Sequence, residues 1–96
     1  MIREYNNDNF KDIKELTIVD FYADWCGPCK MVGKALEELE GIDIIKVNVD
    51  KEEELAKEYK VMTIPNIYFF KNGEIEEHLV GFHSKEELAD IIKSLE

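Results

Sequence analysis

Cysteine, proline and basic residues are all scarce in this sequence. It contains two cysteines and two prolines among 96 residues, and its 12 basic residues are outnumbered by 22 acidic ones. A chain of this length buries enough surface to fold without crosslinks, so the two cysteines are free for chemistry. The formal net charge of -10 opposes binding to phosphate backbones and to anionic lipid surfaces. We therefore expect neither nucleic acid nor a membrane as a partner.

Long hydrophobic runs are also missing. No apolar stretch reaches the length of a signal-peptide core or of a membrane span. We therefore expect a cytoplasmic protein, and in that compartment a cysteine pair is more often catalytic or metal-binding than structural. The composition, 45% hydrophobic and 35% charged, is typical of a globular protein, and we expect a single domain over residues 1–96.

Apolar segments of two kinds alternate along the chain. Short runs rich in β-branched and aromatic residues predict strands, and stripes at i, i+3, i+4 and i+7 predict amphipathic helices. The predicted strands are residues 1–5, 16–23, 42–49, 67–70 and 75–80. The predicted helices start at Asn7 or Asp8, at Cys29 with a stop near Gly41, at Asp50 with Glu53, and at Ser84 with Glu87. This order predicts an α/β fold with one mixed sheet of about five strands and helices on both of its faces.

The two cysteines lie in the run Trp25-Cys26-Gly27-Pro28-Cys29, where a predicted helix begins. A bridge across so few residues restricts the unfolded chain by only about 2 kcal/mol, so it would be a poor structural crosslink. Only a thiolate attacks a disulfide, and the free N–H groups and dipole of a helix N-terminus favour negative charge at Cys26. We predict that Cys26 is a redox nucleophile and that Cys29 is the resolving thiol.

A zinc site is the structural alternative for this pair, because His78 and His83 complete a set of two cysteines and two histidines. The 48 residues between Cys29 and His78 (30–77) exceed the spacing of about 12 to 15 that compact zinc modules use. We therefore expect no metal, and we interpret both histidines as surface residues.

Two charged residues, Asp20 and Lys46, lie inside strands that are predicted to be buried. Burial raises the pKa of a carboxyl group, and Asp20 precedes Cys26 by six residues on the same strand-to-helix path. We predict that Asp20 accepts a proton from Cys29. Lys46 either tunes Asp20 electrostatically or reaches solvent as a strand-end lysine, and the sequence leaves both possibilities open.

Together these features resemble the thioredoxin family over nearly the whole chain. The matching segments are the active-site stretch Val-Asp-Phe-Tyr-Ala-Asp-Trp-Cys-Gly-Pro-Cys-Lys-Met at 19–31, the cis-proline loop at Ile64-Pro65, the hairpin at 70–74, and Val80-Gly81 beside the active site. The resemblance implies a thioredoxin fold in which a Cys26–Cys29 dithiol cycles with a disulfide and no cofactor is bound. It also implies a cis peptide bond at Pro65, packed against the cysteines.

The resemblance further implies roles for the residues around the cysteines. Asp20 assists the deprotonation of Cys29, and Lys46 lies near it. An extended target peptide is expected to bond to the backbone near Thr63 and Ile64, in the manner of an added strand. The other residues expected to border the target surface are Trp25, Gly27, Pro28, Pro65 and Gly81.

The implied activity is protein-disulfide reduction, with disulfide-containing target proteins as partners of a monomer. A separate reductase, either an NADPH-linked flavoprotein or a ferredoxin-dependent enzyme, would regenerate the dithiol. Gly27-Pro28 disfavours the oxidising, isomerase and glutaredoxin-like alternatives, because related oxidants and isomerases usually carry a histidine there. A second alternative is a binding module that uses the surface around Trp25 and Pro65, since fold alone does not fix function.

Four positions depart from the usual pattern of the family. Tyr22 stands where tryptophan is frequent, and Asn66 follows the proline where threonine is usual. Gly33-Lys34 replaces an Ala-Pro pair that kinks the helix after the cysteines, so a bend there would have to come from Gly33.

Overall fold

A computed structural model describes residues 1–96 and has a five-stranded mixed sheet at its centre. The strands are β1 (Ile2–Glu4), β2 (Thr17–Tyr22), β3 (Asp43–Asn48), β4 (Asn66–Lys71) and β5 (Glu74–Val80). The helices are α1 (Gly27–Glu37), α2 (Glu53–Glu58) and α3 (Lys85–Leu95), with a short 3-10 turn at Phe10–Asp12. None of the helices has both the length and the apolar character that crossing a bilayer requires.

The spatial order of the strands is β1-β3-β2-β4-β5. The first three run parallel to one another, and β4 and β5 are antiparallel to their neighbours. Because β2 is central and covered on both faces, its side chains are nearly all buried, as its continuous apolar run predicts. The mixed sheet of about five strands is therefore confirmed.

Helices cover both faces of the sheet, as predicted. On one face α1 and α3 pack over Ile18, Ile44, Ile67 and Phe69. On the other face, side chains of α2 and of the 3-10 turn cover an aromatic cluster. The residues of that cluster are Phe10, Val19, Phe21, Ile45, Val47, Tyr68 and Phe70.

The predicted first helix is wrong, because the structure forms only the 3-10 turn there. Its cap is Asn9, whose side chain accepts a hydrogen bond from the Lys11 N–H at 3.0 Å. Asp8 is unavailable for this role, since its carboxylate pairs with the Arg3 guanidinium at 2.6 and 2.9 Å. Asn7 adopts a positive φ of 57°, which a residue beginning a helix does not have.

The other helix ends were predicted with mixed success. Ser84 and Glu87 form the expected capping box of α3. The box predicted at Asp50 and Glu53 is wrong, because α2 starts without a side-chain cap and the Asp50 carboxylate accepts a hydrogen bond from Trp25 instead. The helix that follows the cysteines was predicted to stop near Gly41. It ends at Glu37, several residues before Gly41, which has a left-handed conformation.

Truncating Leu36 tests how much of the stability depends on the packing of α1 against the sheet. Leu36 is 1% exposed and lies in the cluster beneath α1 and α3. We expect Leu36→Ala to lower the free energy of unfolding by about 2–5 kcal/mol, because it removes buried methyl groups and leaves a cavity. Urea unfolding measures the change. The neighbouring exposed variant Glu37→Ala should stay within about 0.5 kcal/mol, and equal losses in both variants would contradict the assignment.

Candidate active site

The two cysteines meet at the N-terminus of α1. Cys26 is the N-cap residue, and the Cys29 N–H donates a hydrogen bond to its Sγ at 3.2 Å. The two residues form a disulfide with their Cα atoms 5.2 Å apart. Pro28 lies in the first turn of the helix. Backbone N–H groups there have no acceptor within the helix, so a proline, which has no N–H, costs no hydrogen bond. A sulfur in this position is the natural acceptor for the free donors of an 11-residue helix.

The two sulfurs differ in their surroundings. Both residues are nearly buried, at 5% and 3% exposed, but Cys26 caps the end of α1 whereas Cys29 lies within its first turn. Ala23 and Cys26 pack in the same small cluster as Cys29, with Ile64 against it. The structure therefore places the Cys26 sulfur at the end of α1 and the Cys29 sulfur inside its first turn.

Asp20 is the most deeply buried charged residue of the protein. It is 0% exposed, and neither of its carboxylate oxygens has a hydrogen-bond partner. Side chains alternate along a strand, so Asp20 shares its sheet face with Ile18, which packs against Val32 and Leu36 of α1. Burial raises the pKa of Asp20 to about 6, and the negative charge of Glu4 adds a smaller increase.

Lys46 partly offsets this effect. Its Nζ lies 4.0 Å from Asp20 Oδ2, and its positive charge acts to lower the pKa of that carboxyl. The side chain of Lys46 is 23% exposed, so it lies between Asp20 and solvent. A methyl group on Gly33 of α1 would stand 3.6 Å from Nζ, which places the ammonium group beneath the helix that carries the cysteines.

Glu4 and Tyr22 complete the environment of Lys46, and the sequence did not indicate that Glu4 belongs here. Lys46 Nζ lies 4.5 Å from the centre of the Tyr22 ring, in a cation–π contact. The Tyr22 hydroxyl donates to both Glu4 oxygens, at 2.9 and 3.0 Å. Burial, followed by this hydrogen bond, raises the pKa of Tyr22 to about 12. Tyr22 stands where tryptophan is frequent, and its hydroxyl needs a hydrogen-bond partner. This is the signal from which an acceptor such as Glu4 could have been predicted.

The loop of residues 63–65 lies against the cysteines. The Ile64 carbonyl oxygen is 4.0 Å from Cys26 Sγ, and the Ile64–Pro65 peptide bond is cis. The Gly81 N–H donates to the Pro65 carbonyl at 2.8 Å. Gly81 has a φ of 88°, a left-handed conformation that favours glycine.

The surface beside Cys26 is apolar and open. Trp25 is 70% exposed, and its Nε1–H donates to Asp50 Oδ2 at 2.8 Å, which fixes the ring at the rim. A groove of about 380 Å³ runs between this ring and the loop before Pro65. Its lining residues are Trp25, Val49, Val61, Met62, Thr63 and Ile64. Val49, Val61 and Met62 were not singled out in the sequence, because no motif marks a single apolar residue that a loop leaves at the surface.

The remaining candidate residues are Gly27 and Thr63, which lie at the site, and the two histidines, which were weighed as metal ligands. Gly27 begins α1 beside the disulfide, and Thr63 is exposed at the edge of the groove. The two histidines have different partners: His78 Nε2 bonds to Asn66, and His83 Nδ1 bonds to Glu87. No three histidine, cysteine or acidic side chains are grouped so that they could hold a metal ion.

Comparison with known proteins gives one consistent result. The family model described as Thioredoxin matches residues 2–94. The chain is 48% identical over 80 residues to a thioredoxin from Staphylococcus epidermidis, an alignment that covers 78% of this chain and 77% of that protein. It is 41% identical over 99 residues to a thioredoxin from Staphylococcus saprophyticus, covering 96% and 95% of the two chains.

A solved structure gives the same answer for the fold. An asparagine-to-glutamine mutant thioredoxin from Halobacterium salinarum superimposes with a TM-score of 0.87 at 32% identity. The superposition covers 97% of this chain and 88% of that one. The predicted fold class is therefore confirmed.

Replacing Asp20 tests the effect of its burial on stability. The pKa of this carboxyl is about 6 in the folded state and about 3.9 in an unfolded chain, so the folded protein holds the proton more tightly. The stabilisation from protonated Asp20 is therefore complete below about pH 4 and is lost as the pH rises through about 6, at a cost on the order of 3 kcal/mol. We expect Asp20→Asn, measured with the disulfide intact, to be more stable than the parent protein at pH 8 by up to this amount.

Urea unfolding between pH 4 and pH 8 measures this difference, which should narrow toward pH 4. The matched control is Asp90→Asn, because Asp90 is an exposed aspartate of α3. Its stability relative to the parent should not change with pH. A difference between Asp20→Asn and the parent that is the same at both ends of the range would contradict the assigned burial effect.

Proposed function

The chain belongs to the thioredoxin family and is a thiol-disulfide oxidoreductase that reduces protein disulfides, and we propose that Cys26 is its nucleophile and Cys29 its resolving thiol. The single observation that carries this assignment is the position of Cys26 as N-cap of α1, with the Cys29 N–H donating to its sulfur. That hydrogen bond and the positive end of the helix dipole favour a thiolate at the outer position.

The reaction transfers two electrons to the target in two exchange steps. The Cys26 thiolate attacks one sulfur of the target disulfide, the target S–S bond breaks, and its other sulfur leaves as a thiolate. Cys29, once deprotonated, attacks Cys26 Sγ in the resulting mixed disulfide. This forms the Cys26–Cys29 bond and releases the second target thiolate, and the two protons of the dithiol balance the two new target thiols.

We propose that Asp20 accepts the proton that Cys29 loses. A carboxyl group whose pKa is about 6 is mostly ionised at neutral pH, yet it holds a proton far better than an ordinary aspartate. It lies on the sheet face that α1 covers, and it has no competing hydrogen-bond donor. Lys46, at 4.0 Å, supports its ionised form between turnovers.

The target surface consists of the groove rim and the backbone of the proline loop. We assign target contacts to Trp25, Gly27 and Pro28 on one side of Cys26. On the other side we assign the residue set Thr63, Ile64, Pro65 and Gly81. Support comes from the exposure of the Trp25 ring and from the Ile64 carbonyl, which faces the Cys26 sulfur at 4.0 Å. Recognition through backbone groups would make target choice broad.

The partners follow from the chemistry. Disulfide-containing proteins are the substrates, and a reductase must return two electrons to the Cys26–Cys29 disulfide. We propose an NADPH-linked flavoprotein or a ferredoxin-dependent enzyme for that role, because the cysteine pair is the only redox group that we assign to this chain. We further propose that residues 1–96 act as a single monomeric domain in the cytoplasm, where a reducing poise favours the reductase direction.

Serine variants of the two cysteines test the division of roles. We expect Cys26→Ser to abolish the catalysed reduction of insulin, because no thiolate remains at the outer position. Cys29→Ser should instead accumulate mixed disulfides with target proteins, which dithiothreitol releases. Insulin reduction that persists in Cys26→Ser would refute the nucleophile assignment. Full partner binding and cellular rescue by the double variant would favour the binding-module alternative.

A redox titration against glutathione tests the direction of the reaction. We expect a midpoint potential of about -270 mV, the value characteristic of thioredoxins. A potential of about -120 mV, the value of a strong protein oxidant, would overturn the assignment as a reductase.

A further inference from the structure

The side-chain amide of Asn66 is bonded on both sides, directly after Pro65. Asn66 is 3% exposed, and its Nδ2–H donates to the Thr63 carbonyl at 3.1 Å. Its Oδ1 lies 2.6 Å from His78 Nε2. Because an amide oxygen can only accept, Nε2 is the nitrogen of His78 that carries the proton. The amide therefore links strand β5 to the loop that faces the cysteines.

The imidazole of His78 is itself held in place. His78 pairs with Tyr68 across β4 and β5, and the two rings stack with their centroids 4.0 Å apart and an interplanar angle of 3°. The Tyr68 ring is 6% exposed, and its hydroxyl donates to the Tyr59 carbonyl at 2.7 Å. The His78 ring that donates to Asn66 is thus held by stacking on Tyr68, which is buried and hydrogen-bonded.

These contacts leave Ile64 as the residue of the loop whose N–H and carbonyl are both free of hydrogen bonds within the protein. The Thr63 carbonyl is occupied by Asn66, and the Pro65 carbonyl accepts from the Gly81 N–H at 2.8 Å. Between them, the Ile64 N–H donates no hydrogen bond within the protein, and the Ile64 carbonyl faces Cys26 Sγ at 4.0 Å. The loop is fixed at both ends and presents its middle peptide groups beside the nucleophilic sulfur.

We propose that Asn66 and His78 are positioning residues that hold this loop ready for the polypeptide next to a target disulfide. The partner they serve is an extended segment whose backbone bonds to Ile64. A loop that is ordered beforehand avoids the entropy cost of ordering on binding, so the pair raises the rate of reaction with polypeptides. This inference rests on the proposed function, because it assumes that Ile64 contacts the target.

His78→Phe is the discriminating variant. Phenylalanine keeps a flat ring on Tyr68 but cannot donate to Asn66. In single-turnover reactions of the reduced protein, we expect the second-order rate constant for insulin to fall about 3- to 10-fold, the range for loss of one hydrogen bond. The rate with a small aromatic disulfide, dithiobis-nitrobenzoic acid, should stay within about 2-fold, because that reagent has no peptide backbone to bond to Ile64.

Two further variants serve as controls for this experiment. His78→Gln keeps a donor and should recover part of the rate with insulin. Glu76→Gln, on the same exposed strand, should leave both rates unchanged. Equal losses with both substrates, or no recovery in His78→Gln, would assign His78 a merely structural role and overturn the proposal. An unchanged rate with insulin in His78→Phe would overturn it as well.

The coupling of the two residues gives a second test. Asn66→Thr introduces the residue usual in the family, whose short side chain cannot bond to Thr63 and His78 together. We expect it to slow the reaction with insulin like His78→Phe, and the double variant should be no slower than either single one. Effects that multiply in the double variant would contradict a shared role.

A measurement without any target separates this inference from the proposed function. In His78→Phe the Asn66 amide is held only by its bond to Thr63. Its side-chain protons should therefore exchange with solvent several-fold faster than in the parent protein, as followed by NMR of the oxidised form. Unchanged exchange would overturn the inference, whatever the activity. A parent protein that fails to reduce insulin would instead refute the proposed function.

Discussion

The Cys26 sulfur lies where the first backbone N–H groups of α1 need an acceptor, and most of the active site depends on this placement. An ordinary N-cap is a hydroxyl, amide or carboxylate, and here a sulfur accepts the Cys29 N–H at 3.2 Å instead. The same donors that start the helix therefore favour negative charge on Cys26, the nucleophile that we propose. Because Cys29 supplies the N–H, both cysteines are fixed by a single turn of helix.

Asp20, the proposed proton acceptor, destabilises the fold when it is ionised. A carboxylate with no hydrogen-bond partner on a central strand opposes folding at neutral pH, and Lys46 offsets the penalty only in part. Lys46 in turn contacts the Tyr22 ring, while Tyr22 is bonded to Glu4 on the short edge strand. The apolar clusters on both faces of the sheet provide the stability that lets an ionisable group remain in the core.

Features encoded by adjacent residues were predictable, whereas contacts between distant segments were not. The apolar run of β2, the cysteine pair at a helix start and the capping box of Ser84 each lie within a few residues. The missing first helix and the uncapped start of α2 depend on competing partners, since Asp8 is taken by Arg3 and Asp50 by Trp25. The hydrogen bond from Tyr22 to Glu4 spans β3, which lies between their strands, and the one from His78 to Asn66 joins β5 to β4. Both depend on the order of the strands in the sheet, which a single sequence does not reveal.

The antiparallel direction of β4 brings the separate parts of the site together. Asn66 at the start of β4 pairs with Phe21 near the end of β2, so the proline loop before β4 must lie beside the junction of β2 and α1. β5 reverses direction again, and its last residue, Val80, pairs with the same Asn66. Gly81 therefore also arrives at this edge, where its N–H reaches Pro65. A parallel β4 would begin at the opposite end of the sheet, and the proline loop would then lie far from the cysteines.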